Sequence, residues 1–165
     1  MKSLKMGQFN ELKTNGEMGI EDIKKVIPYD APFLFIDKVT SLTSNKIVAT
    51  KYFSGEEGFF KGHFVGFPIL PGALTVEGMG QAATLLVRSN IPNHQEKDVL
   101  AYKLKEVKFS APIFPGSQVR FEVDLIAQDG RGAILQGKAF VKEDLAADAL
   151  FMVAIVDKTE FRAKH

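Results

Sequence analysis

The 165-residue sequence contains no cysteine. Without cysteine the chain can form neither disulfides nor a catalytic thiolate, and this composition fits a reducing compartment. Zinc motifs built from cysteine and histidine are excluded as well, and three scattered histidines make a weak metal site: His63, His94 and His165. We therefore predict that the protein binds no metal.

The chain also lacks an excess of charge of either sign, with 21 basic and 20 acidic residues and a formal net charge of +1. Nucleic-acid-binding domains usually carry a clear basic excess, so the composition argues against a nucleic-acid partner. No stretch approaches the ~18 consecutive apolar residues of a membrane-spanning helix. The N-terminus also lacks the apolar core of a signal peptide. These absences predict a cytoplasmic protein with no membrane partner.

What the chain does have is the size and composition of one globular domain, with 45% hydrophobic residues. Residues 1–19 are polar and aperiodic, so we predict an N-terminal extension there and a single domain over residues 20–165. Ile20, Ile23 and Ile27 share one face of a predicted short helix, which Pro28 ends.

One apolar helix among many strands defines the predicted fold. Six segments rich in β-branched and aromatic residues are predicted strands: 32–42, 45–53, 99–113, 118–127, 133–142 and 149–161. Residues 72–90 are apolar nearly all round, which is typical of a buried helix. Four late strands in succession favour an antiparallel sheet, and a helix buried on all sides needs a sheet that wraps it. The sequence predicts an α+β fold, and a dimer is favoured because one sheet rarely covers such a helix.

The stretch GHFVGFPILPGALTVEGMGQ, residues 62–81, holds one histidine and one carboxylate in apolar surroundings. His63 and Glu77 stand 14 residues apart. A glutamate in an apolar pocket has a raised pKa because desolvation disfavours its anion, so Glu77 can act as an acid beside a histidine base. The Gly72 N–H lies in the first helical turn, where unpaired amides favour a negative oxygen. This set suits removal of a proton next to a carbonyl with loss of a leaving group.

The two residues also have purely structural interpretations. A histidine near glycines is often a hydrogen-bonded loop residue, and a glutamate on a helix usually faces solvent. A narrow polar stripe runs along the otherwise apolar helix through Glu77, Gln81, Thr84 and Arg88. The stripe fits a solvent edge, a cavity wall or a subunit seam, and the sequence leaves these three open.

Residues 62–81 resemble the signature of the 3-hydroxyacyl-acyl-carrier-protein dehydratases of bacterial fatty-acid synthesis. In that family Gly-His-Phe-Pro-Gly is followed by Pro-x-Met-Pro-Gly and a Glu-Ala-Met-Ala-Gln helix. Three further segments are similar to the family in the same order: PYDAPFLFIDKV, EVKFSAPIFPG and QGKAFVKEDLAADALFMVAIV, at residues 28–39, 106–116 and 136–156. The resemblance implies a hot-dog fold, in which a curved antiparallel sheet wraps one long helix, and a dimer or a higher oligomer of dimers.

The resemblance also implies the reaction and the site. The reaction is dehydration of a (3R)-3-hydroxyacyl-acyl-carrier-protein to the trans-2-enoyl product, with an acyl carrier protein as partner and no cofactor. His63 and Glu77 match the catalytic pair, which in the family meets across the dimer interface in an acyl tunnel. Gly72 matches the residue whose amide binds the thioester oxygen, and Gln81 matches a supporting glutamine. The related decanoyl isomerase-dehydratase carries Asp at the position of Glu77, which favours the branch without isomerase activity.

Apolar residues near this pair are predicted to line the substrate tunnel: Phe59, Phe60, Phe64, Leu100 and Tyr102. The last two share one face of a strand if the alternation of period two holds there. The resemblance further implies a cis peptide bond between His63 and Phe64.

The chain departs from the family pattern without losing a predicted catalytic group. The differing positions are Val65 for proline, Phe67 for a positive residue, Tyr29–Asp30 for His-Arg, and Gly78 and Gly80 for alanines. Two other functions stay open at this point, a hot-dog acyl thioesterase and a non-catalytic acyl-binding module. Thioesterases of this fold usually lack the His-to-Glu interval, and binding modules tend to lose the acid or the base.

Overall fold

The computed structural model describes residues 17–165. Its strands are β1 Lys38–Leu42, β2 Lys46–Phe53, β3 Lys97–Phe109, β4 Ser117–Gln128, β5 Gly132–Val141 and β6 Asp144–Asp157. Its helices are α1 Ile20–Val26, α2 Gly58–Gly62, α3 Gly72–Ser89 and α4 Lys158–Lys164, with a 3₁₀ turn at His94–Glu96. The strands form one antiparallel sheet in the order β1-β2-β4-β5-β6-β3. No helix in residues 17–165 is long and apolar enough to cross a membrane.

The sheet wraps around α3, as the sequence predicts. Helix α3 contacts β2, β3, β4, β5 and β6. Along β4 the side chains alternate, and Val119, Phe121 and Val123 are fully buried while their neighbours are half-exposed. Residues 81–89 of α3 are buried without exception, whereas the first half of the helix is partly exposed. The predicted α+β hot-dog fold is therefore confirmed.

Gly78 lets the sheet approach α3 closely. A Cβ atom at this position would overlap the ring of Phe121 on β4. Glycine inside a helix costs about 1 kcal/mol relative to alanine. Burying a phenylalanine side chain contributes about 1.5–3 kcal/mol, which offsets that cost. The departure from the family alanine at this position thus has a packing reason.

The first predicted strand is too long, because residues 32–36 belong to no strand. A side chain of α3 binds the backbone groups that a neighbouring strand would otherwise bind. Phe35 N–H donates to Gln81 Oε1 at 2.8 Å, and Gln81 Nε2 donates to the Phe33 carbonyl at 2.8 Å. Backbone polar groups buried in a fold need such partners, so this segment is extended but is paired to a side chain.

The last predicted strand is also too long, since β6 ends at Asp157 and α4 follows. The Asp157 carboxylate caps α4 by accepting a hydrogen bond from Glu160 N–H at 3.0 Å. An aspartate followed three residues later by glutamate is a helix-start signal. The alternation of the preceding strand concealed this signal in the sequence. Helix α2 was not predicted either.

Residues 1–16 of the predicted N-terminal extension lie outside the described residues. Met18, near its end, is buried and pairs with Val39 of β1 through two backbone hydrogen bonds of 2.9 Å each. Helix α1 then buries Ile23 and Val26. The domain boundary at residue 20 stays a prediction.

A buried ionic cluster joins α3, β3 and α4. Arg88, 3% exposed, donates to the carbonyls of His94 and Lys97 at 2.6 and 2.9 Å. Asp98, 8% exposed, lies 3.6 Å from Arg88 Nη2. Arg162 of α4 donates to both Asp98 carboxylate oxygens, at 3.0 and 3.3 Å. We call Arg88, Asp98 and Arg162 the Asp98 clasp.

Candidate active site

A cleft of about 460 Å³ opens at the N-terminal end of α3. The loop before α3, its first turn and the segment after β3 all contribute to the wall. The predicted site residues His63, Phe64 and Gly72 lie there together. Leu70 N–H donates to the Ile113 carbonyl at 2.7 Å, which ties the loop to the segment after β3.

His63 is half-buried and directly follows α2, where its N–H donates to the Phe59 carbonyl at 3.2 Å. Its Nδ1 atom lies 2.9 Å from the carbonyl oxygen of Ile69. A carbonyl oxygen only accepts hydrogen bonds, so Nδ1 carries the hydrogen and Nε2 of the neutral ring keeps its lone pair. This contact fixes the tautomer that a general base acting through Nε2 requires.

The predicted cis peptide bond between His63 and Phe64 is wrong. The one cis bond in residues 17–165 precedes Pro32. Phe64 instead has a φ of 53° and Gly66 a φ of 85°, and Phe67 N–H donates to the Phe64 carbonyl at 2.8 Å. Two left-handed residues reverse the chain here, so the loop reaches α3 through a trans bond.

Gly72 is the first residue of α3, after Pro71 at the N-cap. The N–H groups of a first helical turn have no partner within the helix, and no described group accepts from Gly72 N–H. Phe109, the last residue of β3, covers this glycine. A Cβ atom at position 72 would lie 2.7 Å from Phe109 Cε1. Gly72 therefore combines an unpaired amide with a close ring contact, and a side chain at this position would require the Phe109 ring to move.

Glu77 is half-buried and lies about 7.5 Å further along α3, at ~1.5 Å per residue. It does not line the cleft that holds His63 and Gly72. Gln81 Nε2 donates to Glu77 Oε1 at 2.9 Å while also holding residues 33–35. Burial raises the pKa of Glu77, and the hydrogen bond from Gln81 opposes part of this rise. Within one chain, Glu77 and His63 therefore do not line the same cleft.

The polar stripe on α3 is not a solvent edge. Gln81 is 1% exposed, Thr84 9% and Arg88 3%. Burial and the charge of Glu77 raise the pKa of Tyr29, while the charge of Arg88 lowers it. The stripe is thus an internal polar seam with Glu77 at its accessible end.

Two predicted tunnel residues, Phe59 and Phe60, lie on α2 and belong to an aromatic cluster. Phe59 packs against Phe35, Phe53 and Phe60 with ring centroids 6.2, 6.3 and 4.9 Å away. Phe60 is only 4% exposed. Phe59 borders a separate apolar cavity of about 240 Å³, which His63 does not line. For Phe60 the packing fits a core residue.

Leu100 and Tyr102 lie on β3, away from the cleft. Leu100 pairs with Ala154 on the less buried face of β6. Tyr102 has no partner in the register, since a bulge between Ala101 and Lys103 leaves it as the extra residue. The alternation used to place both side chains on one face is therefore wrong at this point. Their role in the tunnel stays a prediction.

Phe109 is the cleft residue that the sequence analysis missed. The sequence held two indirect indications of this residue. Phe109 lies in the EVKFSAPIFPG segment that carries the family resemblance, and a glycine, Gly72, stands where a helix begins. A glycine there indicates a close neighbour, but the sequence does not say which one.

No group of three or more His, Asp or Glu side chains in residues 17–165 could hold a metal ion.

A family model described as a FabA-like domain matches residues 27–150. The chain belongs to the FabA-like domain family. A 3-hydroxyacyl-[acyl-carrier-protein] dehydratase FabZ from Koribacter versatilis is 39% identical over 142 residues, which cover 86% of this chain and 91% of that protein. The matched range includes His63, Gly72, Glu77 and Phe109.

Solved structures share the fold of this FabA-like chain. One is the dehydratase heterocomplex ApeI:P from Xenorhabdus doucetiae, with a TM-score of 0.70, 17% identity and coverage of 86% of this chain and 95% of that chain. Another is the thioesterase HI1161 from Haemophilus influenzae, with a TM-score of 0.65, 15% identity and coverage of 85% and 92%. At these identities the likeness establishes the fold alone.

Replacing Gln81 by leucine tests its link to Glu77. Gln81 donates to the Glu77 carboxylate and so favours the charged form, and its loss should raise the pKa of Glu77 further. If Glu77 acts as an acid, the alkaline limb of the profile of kcat/KM against pH should move to higher pH while kcat falls.

The control is Thr84→Val, one turn further along α3, where the hydroxyl binds only the Gly80 carbonyl at 3.0 Å. This variant should keep the wild-type profile. An alkaline limb that stays in place in an active Gln81→Leu enzyme would exclude the proposed link. Leaving Phe35 N–H unpaired should also lower the free energy of unfolding by about 1–3 kcal/mol.

Proposed function

We propose that this chain dehydrates (3R)-3-hydroxyacyl-acyl-carrier-protein to trans-2-enoyl-acyl-carrier-protein in fatty-acid synthesis. The observation that carries the proposal is the 39% identity to a dehydratase of that name over 91% of its length. The cleft supports it, because a histidine with a fixed tautomer and an unpaired helix amide line the same wall.

The proposed reaction begins at Cα of the acyl thioester. His63 Nε2 removes one Cα proton, and the Gly72 N–H donates to the thioester oxygen as negative charge develops there. Glu77, whose raised pKa keeps it protonated to higher pH, gives its proton to the 3-hydroxyl group. That group leaves as water and the double bond forms between Cα and Cβ. His63 gains one proton and Glu77 loses one, so solvent exchange resets the site.

We propose a homodimer in which Glu77 of one chain faces His63 of the other, in the cytoplasm. The two groups do not share a cleft within one chain. Strand β3 is 13 residues long and lies at the sheet edge. Its apolar side chains are open to solvent, with Leu104 45%, Val107 37% and Phe109 58% exposed. A long apolar edge strand favours pairing with another chain, and a second copy is the partner that would complete the site.

The rival activity is thioester hydrolysis, and the products separate the two. We expect the purified chain to convert a 3-hydroxyacyl thioester of acyl carrier protein to the enoyl thioester, read by mass loss of one water. A saturated acyl thioester should stay intact, with no free thiol released. Release of thiol from the saturated substrate at a rate matching enoyl formation would favour the thioesterase. Binding of both substrates with no product would favour a non-catalytic module.

A further inference from the structure

We propose that Phe109 determines substrate specificity by forming the wall beside the thioester carbonyl, and that it restricts the site to acyl chains without a substituent at Cα. This inference rests on the proposed dehydration and on Gly72 as the oxyanion donor. It names a class of substrate, 3-hydroxyacyl thioesters unbranched at Cα.

The Phe109 ring contacts the first turn of α3. Three ring atoms of Phe109, Cε1, Cζ and Cδ1, would lie 2.7, 2.9 and 3.1 Å from a Cβ at Gly72. Unbonded carbon atoms are normally about 3.5–4.0 Å apart, so the ring occupies the space of the missing side chain. Phe109 pairs with Ala147 of β6, which fixes its backbone in the ladder.

The Phe109 ring is not a core side chain of the single chain. Phe109 is 58% exposed, and it lines the cleft together with His63. A ring held against the helix on one side and open on the other presents an apolar surface to the cleft. Buried phenylalanines of this protein such as Phe121 and Phe151 are 0–2% exposed, so Phe109 is not a core residue of the single chain.

The Gly72 donor fixes where the thioester of the substrate lies in this proposal. A thioester oxygen bound at Gly72 N–H lies two bonds from Cα, and His63 must reach a hydrogen on that same carbon. The Phe109 ring lies against Gly72 and lines the same cleft as His63, so in this proposal it bounds the volume around Cα. An unbranched substrate has two hydrogens there, one of which is removed. A methyl group in place of the other needs space that the ring fills.

The test compares straight-chain and 2-methyl 3-hydroxyacyl thioesters of acyl carrier protein as substrates of the full chain. One methyl group changes selectivity by about 10–200-fold in a tight apolar site. We expect wild type to prefer the straight chain by about 100-fold in kcat/KM, and Phe109→Ala to reduce this preference at least tenfold through a gain on the 2-methyl substrate. The matched control is Phe114→Ala, an exposed phenylalanine five residues later that does not line the cleft. It should keep the wild-type ratio.

A second pair of variants reports on the contact itself. Gly72→Ala keeps the N–H but adds a methyl group against the ring, and it should lower straight-chain kcat/KM at least about tenfold. Adding Phe109→Ala should restore most of that loss, because the obstruction is then gone. Strictly additive effects would show that the ring does not act through this contact, and would overturn the proposal.

An unchanged substrate ratio in a folded, active Phe109→Ala enzyme would overturn the proposal as well. If Phe109→Ala does not fold, Phe109→Leu replaces it in the test, since leucine keeps an apolar side chain while removing the ring. This variant must also reduce the preference for the straight-chain substrate. A wild-type enzyme without dehydratase activity on the straight chain would instead refute the proposed function, so the two failures are distinguishable.

Discussion

Replacing His63 by alanine, or Glu77 by glutamine, is expected to lower kcat on a 3-hydroxyacyl substrate by about 10²–10⁴, the usual contribution of one positioned acid or base. His63 lies at a cleft and makes one side-chain hydrogen bond, to Ile69. Glutamine has the shape of glutamate and can still accept from Gln81, so neither change should unfold the protein. The measurement is steady-state turnover with circular dichroism of each variant.

Two exposed residues of the same types provide controls, His165→Ala on the C-terminal end and Glu143→Gln in a turn. Both should keep wild-type turnover. Near wild-type activity of the His63 or Glu77 variant would remove that residue from the mechanism.

The same two variants test whether the site is shared between chains. In the proposed dimer, mixing His63→Ala with Glu77→Gln chains produces heterodimers with one intact site. Random exchange at equal amounts makes half of the dimers heterodimers, so about one quarter of the wild-type activity should return. Tagged chains demonstrate that exchange has occurred. Exchange without recovered activity would place both groups of a site on one chain.

Asp98→Asn is expected to lower the free energy of unfolding by about 3–5 kcal/mol, because it leaves the buried Arg88 guanidinium without its counterion. Burial already lowers the pKa of Arg88, and the charge of Asp98 opposes that shift. Asparagine preserves the shape of the side chain, so the loss reports on charge. Urea unfolding followed by circular dichroism measures it, at one fixed protein concentration since a dimer gains stability with concentration.

The control for the Asp98 clasp is Arg162→Ala. The Arg162 side chain is 60% exposed, so its ion pair is screened by solvent and its loss should cost at most about 1 kcal/mol. Equal losses for Asp98→Asn and Arg162→Ala would mean that the stabilisation comes from docking α4, and that the buried charge on α3 is satisfied by the backbone carbonyls of His94 and Lys97 alone.

The sequence predicted the long, regular elements well because hydrophobic periodicity reports burial directly. Helix α3 and the four late strands follow the patterns that define them. The errors have physical causes. Residues 32–36 look like a strand but bind the Gln81 side chain. Tyr102 looks like a member of an alternating strand, but a bulge makes it the extra residue.

The candidate site was predictable only where a local motif carries it. His63, Gly72 and Glu77 lie within 15 residues, and their spacing is visible in the sequence. The separation of Glu77 from the cleft was not predictable from spacing, since it depends on how far α3 extends past the cleft wall. Phe109 is 37 residues from Gly72, and a contact over that separation follows from the register of β3 and β6 rather than from any local pattern.

The overlap between Gly78 and the Phe121 ring has an evolutionary consequence. The two positions should change together: a relative with alanine at the position of Gly78 should have a smaller side chain at that of Phe121. Alanine introduced first would overpack the interior at a cost of about 1–3 kcal/mol. Shrinking the ring first leaves a void that the later methyl group partly fills. Either change made alone therefore has a cost, so the substitution on α3 and the substitution on β4 are expected to occur as a coupled pair.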